Sequence, residues 1–338
     1  MTQPNSPMSV TSSSVTDLPL VMRSAFLEKC PKPAATWPLC MGLVSAEGNV
    51  LAQHEDLPIF ASVLEGVARA AVARFGKSDW ADGELYLSND PYLGGLDLGT
   101  IVMLAPIFVQ DRLAALAGGA LRLDDIGAMR DDIFTFGREI MHQGVRLSGL
   151  RFPLEKGHVP EMLENYLAAN IRNPELAIPA LNALAAAVAG IRIDGVEAIA
   201  QRSRDTAHAA EAAARTLALA ELGEARDPSG ETLQLKFACI GNQIRVSADY
   251  TPIDREGRNA SLAAVRAGIL VALAEAVDIR PWALSECVNL EVPEKSRFNA
   301  TYPAAVQGVA WAAFLSYQAT VHALGRVATL DRRQFLGE

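Results

Sequence analysis

Ser88-Asn89-Asp90-Pro91-Tyr92-Leu93-Gly94-Gly95-Leu96-Asp97 is the most distinctive stretch of this chain. Asn89 and Asp90 favour a turn because their short side chains bond nearby backbone, and Pro91 fixes its own φ. Gly94 and Gly95 let backbone approach backbone or ligand with no Cβ in the way. Before the loop, Asp82-Gly83 makes a turn and Glu84 to Ser88 (ELYLS) alternates as a strand. After it, Ile101 to Val109 reads as a second, more buried strand. A strand running into such a loop is a common seat for a site, although the same residues also suit a purely structural turn.

Working outward, Met41 to Ala52 predicts a hairpin around Ala46-Glu47-Gly48-Asn49, and Leu57 to Phe75 has helical spacing. From Val159 to about Ala225 the chain is rich in Ala, Leu and Glu. That composition predicts two to four helices, broken near Pro174, Pro179 and Gly190. Thr232 to Ile240 and Gln243 to Tyr250 alternate as a hairpin around Gly241-Asn242. Ser261 to Val277 predicts a helix, Val288 to Val292 a strand, and Ala304 to Val327 a final apolar helix. Mixed elements without regular βαβ alternation give an α+β fold with mixed sheets and an Ala-rich helical segment. The expected division is a disordered tail over 1–17, an α+β part with the loop over 18–158, a helical segment over 159–226 and a C-terminal α+β part over 227–338.

The 338 residues carry a net charge of -9, and half of them are hydrophobic. An acidic chain repels phosphate, which argues against nucleic acid and anionic membrane surfaces as partners. The longest apolar stretch, Ala183 to Ile191, is far short of the about 20 residues that span a bilayer. Cys30, Cys40, Cys239 and Cys287 form no CxxC pair, so they read as buried, reduced thiols in a cytoplasmic protein. Neither a Walker A sequence nor a GxSxG elbow is present. The Ala-rich apolar helices suggest partner-covered surface and an oligomer.

Taken together, several segments resemble the hydantoinase B/oxoprolinase family in the family's own order. The loop Asn89 to Gly95 (NDPYLGG) matches most specifically. Gly48 to Gln53 with Leu57-Pro58-Ile59 resembles its "G-x-L-x-A-Q … P" region. Asp125-Ile126-Gly127 resembles "A-D-I-G-G", and Gln143 to Leu147 (QGVRL) resembles "E-G-L-R-I". Asn170 to Pro174 (NIRNP) resembles "N-x-R-x-P", and Tyr302 to Val306 resembles "P-A-A-V". The resemblance spans about Leu18 to Val327. It implies the B-type subunit of ATP-dependent hydantoinase, oxoprolinase or ketone carboxylase complexes. There an A-type subunit uses ATP and Mg2+ to phosphorylate the substrate, and the B-type subunit processes the intermediate, with a metal in carboxylase members. An A-type partner, and a further B-type subunit, are therefore the expected partners.

The departures bear on chemistry. Where the family continues "T-H-L-P-D", whose His and Asp the resemblance makes metal ligands in the carboxylase members, Asp97 stands at its His and Thr100 at its Asp. Where the family has "R-G-H-H-A-D", which by the same resemblance supplies a further His ligand, this chain has Ala120 to Asp125, with Arg122 and Leu123 in place of imidazoles. A divalent metal needs several converging donors, and Arg122 pointing inward would add a repelling charge. Asp97 is left as a single oxygen donor, which is rarely enough, so no metal ligand is assigned. ATP and Mg2+ are expected on the partner subunit. Asp97, Asp125 and His142 are the candidate catalytic groups; Asn89, Asp90, Tyr92, Gly94 and Gly95 are the candidate substrate-binding residues. Asp124, Asp125, Asp131 and Asp132 could build an oxygen site with Asp97, or simply be solvated loop and helix-capping residues. The alternatives to a catalytic subunit are a non-catalytic assembly or regulatory subunit on the same fold, and a stand-alone small-molecule binding module.

Overall fold

Every position from Leu39 to Ser45 is buried, as are all but one from Thr100 to Val109. Strands that are apolar on both sides demand cover on both faces of their sheet. The computed structural model, which describes residues 10–11, 15–129, 137–155, 157–193 and 195–336, supplies that cover. Strands β1 (Leu39–Ser45), β2 (Val50–Glu55), β3 (Glu84–Ser88), β4 (Thr100–Val109), β5 (Arg112–Arg122) and β6 (Leu150–Pro153) form one sheet in the order β2-β1-β5-β4-β3-β6. All its pairings are antiparallel. Helices α1 (Leu18–Lys29), α2 (Val63–Phe75) and α4 (Pro174–Ala189) pack on it, and α3 (Glu161–Ala168) packs on α4.

Two consecutive glycines in β5 report the sandwich. A Cβ on Gly118 would press on Leu64 of α2 at 3.3 Å, and one on Gly119 would press on Leu184 of α4 at 2.6 Å. Successive residues of a strand face opposite ways, so α2 and α4 lie on opposite faces.

A second sheet follows α5 (Val196–Ala214). Its strands β7 (Leu222–Arg226), β8 (Thr232–Ile240), β9 (Gln243–Ala248) and β10 (Val288–Glu291) run in the order β10-β9-β8-β7, with β9 and β10 parallel. Exposed and buried residues alternate along β7 and most of β8, because only one face is covered. Helix α6 (Leu262–Val277) packs on α7 (Val309–Ala323), and Gly268 seats directly on the Ala313 backbone. Helix α7 in turn backs the second sheet. The short α8 (Arg332–Leu336) buries Phe335 against Phe314 and Tyr317. Ser62 Oγ donates to the Ala263 carbonyl at 2.7 Å, joining the two halves through one continuous core.

The architecture is α+β, and the hairpins, the strand before the loop and helix α6 stand where the sequence puts them. Four differences have physical reasons. Arg112–Arg122 (RLAALAGGALR) is Ala-rich and gives no strand signal, yet it lies at the centre of the first sheet. There, small side chains are what the close approach of α2 and α4 permits. Leu222–Arg226, inside the expected helical segment, is strand β7, because the Asp227-Pro228-Ser229-Gly230 turn folds it onto β8. Pro179 does not break α4; the lost N–H bond is outweighed by burial of the Ala and Leu residues around it. Of the expected disordered tail, residues 1–9 and 12–14 lie outside the described residues, while Val10–Thr11 pairs with Ile191–Arg192. Among the described residues, no helix is long and apolar enough to cross a membrane.

Candidate functional site

Strand β3 delivers Asn89 into the interior, where it is fully buried. Its Nδ2 donates to the carbonyls of Leu98 (2.7 Å) and Val145 (2.9 Å), and its Oδ1 accepts from the Leu147 N–H (2.7 Å). Every polar atom of the amide is thus satisfied by backbone, as burial requires. Asp90, 2% exposed, accepts from Tyr92 N–H through Oδ1 and from Ser148 Oγ through Oδ2 at 2.5 Å. Arg146 Nε lies 3.8 Å from the same carboxylate.

Tyr92 donates its hydroxyl to the Ala304 carbonyl at 2.5 Å. Burial, with the charge of Asp90 beside it, pushes the phenol above its ordinary range, so it stays a neutral donor. The Arg146 guanidinium covers Tyr302 at 4.5 Å and Tyr92 at 5.8 Å, forming an aromatic and cationic cluster that sequence spacing did not show. Gly94 adopts φ +83°, and a Cβ there would overlap the Gly66 carbonyl of α2. Gly95 packs on the Asp90 carbonyl in the same way. The backbone these glycines admit is the chain's own.

Asp97, Thr100 and Arg122 meet one another. Thr100 and Arg122 are cross-strand partners in the β4–β5 register, and Asp97 sits in the turn that leads into β4, where its carbonyl accepts from Thr100 N–H. Arg122 Nη1 donates to Asp97 Oδ2 at 2.8 Å, and Thr100 Oγ1 donates to Asp97 Oδ1 at 2.9 Å. The inward guanidinium and the occupied carboxylate oxygens do not fit a divalent metal. Among the described residues, no group of three or more His, Cys, Asp or Glu side chains gathers to hold one.

Asp125 belongs to a different network. It accepts from the Gly127 and Arg172 N–H groups (3.2 and 2.7 Å) and pairs with the Arg172 guanidinium. Asp124 accepts from Trp37 Nε1. Asp131 and Asp132 lie outside the described residues. His142 turns its Nδ1 toward the Glu139 N–H at 3.4 Å, capping a short turn, and Gln143 Oε1 accepts from the Val306 N–H at 2.9 Å. The segments 89–95, 143–148 and 302–306 are therefore joined through Asn89, Gln143 and Tyr92, and the segments 125–127 and 170–174 through Asp125. Among the hydrogen bonds of the described residues, the Asp97, Asp125 and His142 side chains have different partners.

Two clefts lie elsewhere, and no residue from 88 to 97 lines either of them. One, of about 490 Å³, is lined by Arg258, Arg297, Arg332, Trp311, Asp227 and Glu231 among others. Arg297 pairs there with Glu231 (2.6 Å) and Asp254 (3.1 Å), and Arg258 with Asp254 (3.1 Å), so acids offset the bases. The other, of about 430 Å³, has Glu55, Asp56, Glu275 and Asp278 against Arg280. Burial raises the Glu55 carboxyl to about 7, against opposing help from Gln53 and Arg280. Above its ordinary value of 4.5 the unfolded chain releases this proton while the folded chain keeps it. Stability contributed by the protonated form is thus lost as pH rises from about 4.5 to 7, by about 1–3 kcal/mol. Glu55→Gln is expected to flatten that slope in thermal unfolding between pH 5 and 8. An unchanged slope would assign the pH dependence to other groups.

Of the four cysteines, Cys30, Cys40 and Cys287 are buried, and burial pushes Cys30 and Cys287 up to about 11, whereas Cys239 is exposed, because it lies at the end of β8 where the cover of the sheet stops. A buried ion pair that the sequence did not signal joins Glu65 of α2 to Arg266 of α6 at 3.2 Å, with Ser285 bonded to both.

The family model for hydantoinase B/oxoprolinase matches residues 38–332. An uncharacterized protein of Methanocaldococcus jannaschii is 27% identical over 160 residues, which are 46% of this chain and 28% of that protein. The 5-oxoprolinase of Dictyostelium discoideum is 25% identical over 120 residues, 35% of this chain and 9% of that protein. Among solved structures, the ATP-dependent caprolactamase from Pseudomonas jessenii superposes with a TM-score of 0.73 at 19% identity, covering 89% of this chain and 57% of that one. Acetone carboxylase in its nucleotide-free form gives 0.71 at 13% identity, covering 92% and 46%. The chain thus spans about half the length of these solved structures and less of the curated relatives. With the motifs in order, the fold shared and nearly the whole chain inside the family model, this protein belongs to the hydantoinase B/oxoprolinase family.

Proposed function

We propose that this chain is the B-type subunit of an ATP-dependent assembly of the hydantoinase/oxoprolinase or ketone carboxylase kind, working beside an A-type chain that supplies a phosphorylated intermediate. The observation that carries this reading is the family match over 38–332, supported by a fold shared with an ATP-dependent caprolactamase and an acetone carboxylase. The division of labour is chemically economical. Phosphorylation gives a stable amide or enolised ketone a good leaving group, and the second chain must keep stray water from the activated species.

A role in assembly rather than chemistry is favoured by a specific observation. The carboxylates of Asp90, Asp97 and Asp125, and the Asn89 amide, are all engaged by partners within the chain. Co-expression with an A-type chain encoded beside it tests the proposal. The two are expected to elute together in size-exclusion chromatography, and ATP turnover to require both. Separate elution, with the A-type chain hydrolysing ATP equally well alone, would remove the proposal. Co-elution with undiminished ATP turnover by an Asp97→Asn, Asp125→Asn complex would favour the assembly role.

A further inference from the structure

The family resemblance puts metal ligands at the positions of Asp97 and Thr100 and a further His ligand in the stretch where this chain has Arg122 and Leu123, and Asp97, Thr100 and Arg122 touch one another. Arg122 Nη1 lies 2.8 Å from Asp97 Oδ2 and 3.4 Å from Thr100 Oγ1, and Thr100 Oγ1 donates to Asp97 Oδ1 at 2.9 Å. Asp97 is 2% exposed, Thr100 0% and Arg122 9%. A carboxylate taken this far out of water needs a compensating positive charge close by. In a metal centre the ion provides it. Here a side chain does.

We infer that the Arg122 guanidinium is a built-in substitute for the divalent cation, so that the chain folds and holds its loop with no metal at this position. A guanidinium stays protonated at any physiological pH, and its planar fork matches a carboxylate. It offers no open coordination position, so it neither activates water nor polarises a carbonyl as a metal would. What it does offer is a fixed tie. Asp97 lies in the turn before β4 and Arg122 ends β5, so the pair ties together that end of the β4–β5 hairpin. A divalent ion entering this packing would meet a cation already inside and a carboxylate with both oxygens in use.

The inference rests on the family reading only for where a metal would sit. Its test uses the isolated chain, so it succeeds or fails independently of whether an A-type partner binds. The chain is loaded with excess Mn2+, Zn2+ or Co2+, desalted, and its metal content measured. Wild type is expected to retain well under one equivalent of each, with no change in Asp97→Asn. Retention near one equivalent, lost in Asp97→Asn, would overturn the inference. In a sample with 15N-labelled arginine, a slowly exchanging guanidinium signal that disappears in Arg122→Lys is expected. Exchange of the Arg122 side chain as fast as that of surface arginines would also overturn it.

Discussion

Replacing Arg122 by Met is expected to destabilise the fold by about 3–5 kcal/mol, because it strands a buried carboxylate without its countercharge. Met fills much of the same volume, so lost packing is the smaller part of the effect. Asp97 would keep only its Thr100 hydroxyl bond among the partners named above. The pairing, rather than either residue alone, is what the fold needs. The double variant Asp97→Asn, Arg122→Met is therefore expected to recover most of the loss, leaving about 1–2 kcal/mol. Denaturant midpoints at unchanged m-value read both quantities. A single-variant loss under about 1 kcal/mol would mean that water reaches Asp97 and the pair is not sealed.

Asn89→Leu is expected to cost about 4–6 kcal/mol. It orphans the Leu98 and Val145 carbonyls and the Leu147 N–H together, at about 1–3 kcal/mol for each buried unpaired group. The apolar side chain cannot offset this, since the backbone groups remain where they are. Asn89→Asp makes a sharper test. Its ionised form would set negative charge against two carbonyl oxygens, whereas its protonated form can donate to one of them. That variant is therefore expected to regain stability as pH falls, because the folded state prefers the protonated acid. Hydrogen exchange at Val145 to Ser148 should rise in both variants at pH 7. If protection there is unchanged, Asn89 does not pin that segment.

Asn89 also shows how far the sequence could be read. Its residue type and its place before Pro91 mark a turn, and the turn is there. That its amide bonds Val145 and Leu147, at separations of 56 and 58 residues, is written nowhere in the local pattern. Tyr92 reaches Ala304 across 212 residues. The loop reads as a site by composition, and the structure shows it as the junction where segments 143–148 and 302–306 meet β3. Arg122 was legible as a missing imidazole. Its inward direction depends on the β4–β5 register, and β5 itself gives no strand signal because its Ala and Gly residues fit the narrow gap between α2 and α4.

From residues alone came the punctuation of the chain and its kinship. Asn-Asp-Pro and paired glycines fix backbone angles through atoms one to three bonds away, so hairpins, helix stretches and motif order need no tertiary information. Which side chain answers which was settled only by folding. Desolvation penalises every buried charge until a partner arrives, and that partner comes from whichever distant strand the packing brings alongside. For Asp97 the packing brought Arg122, and the two form a buried internal ion pair.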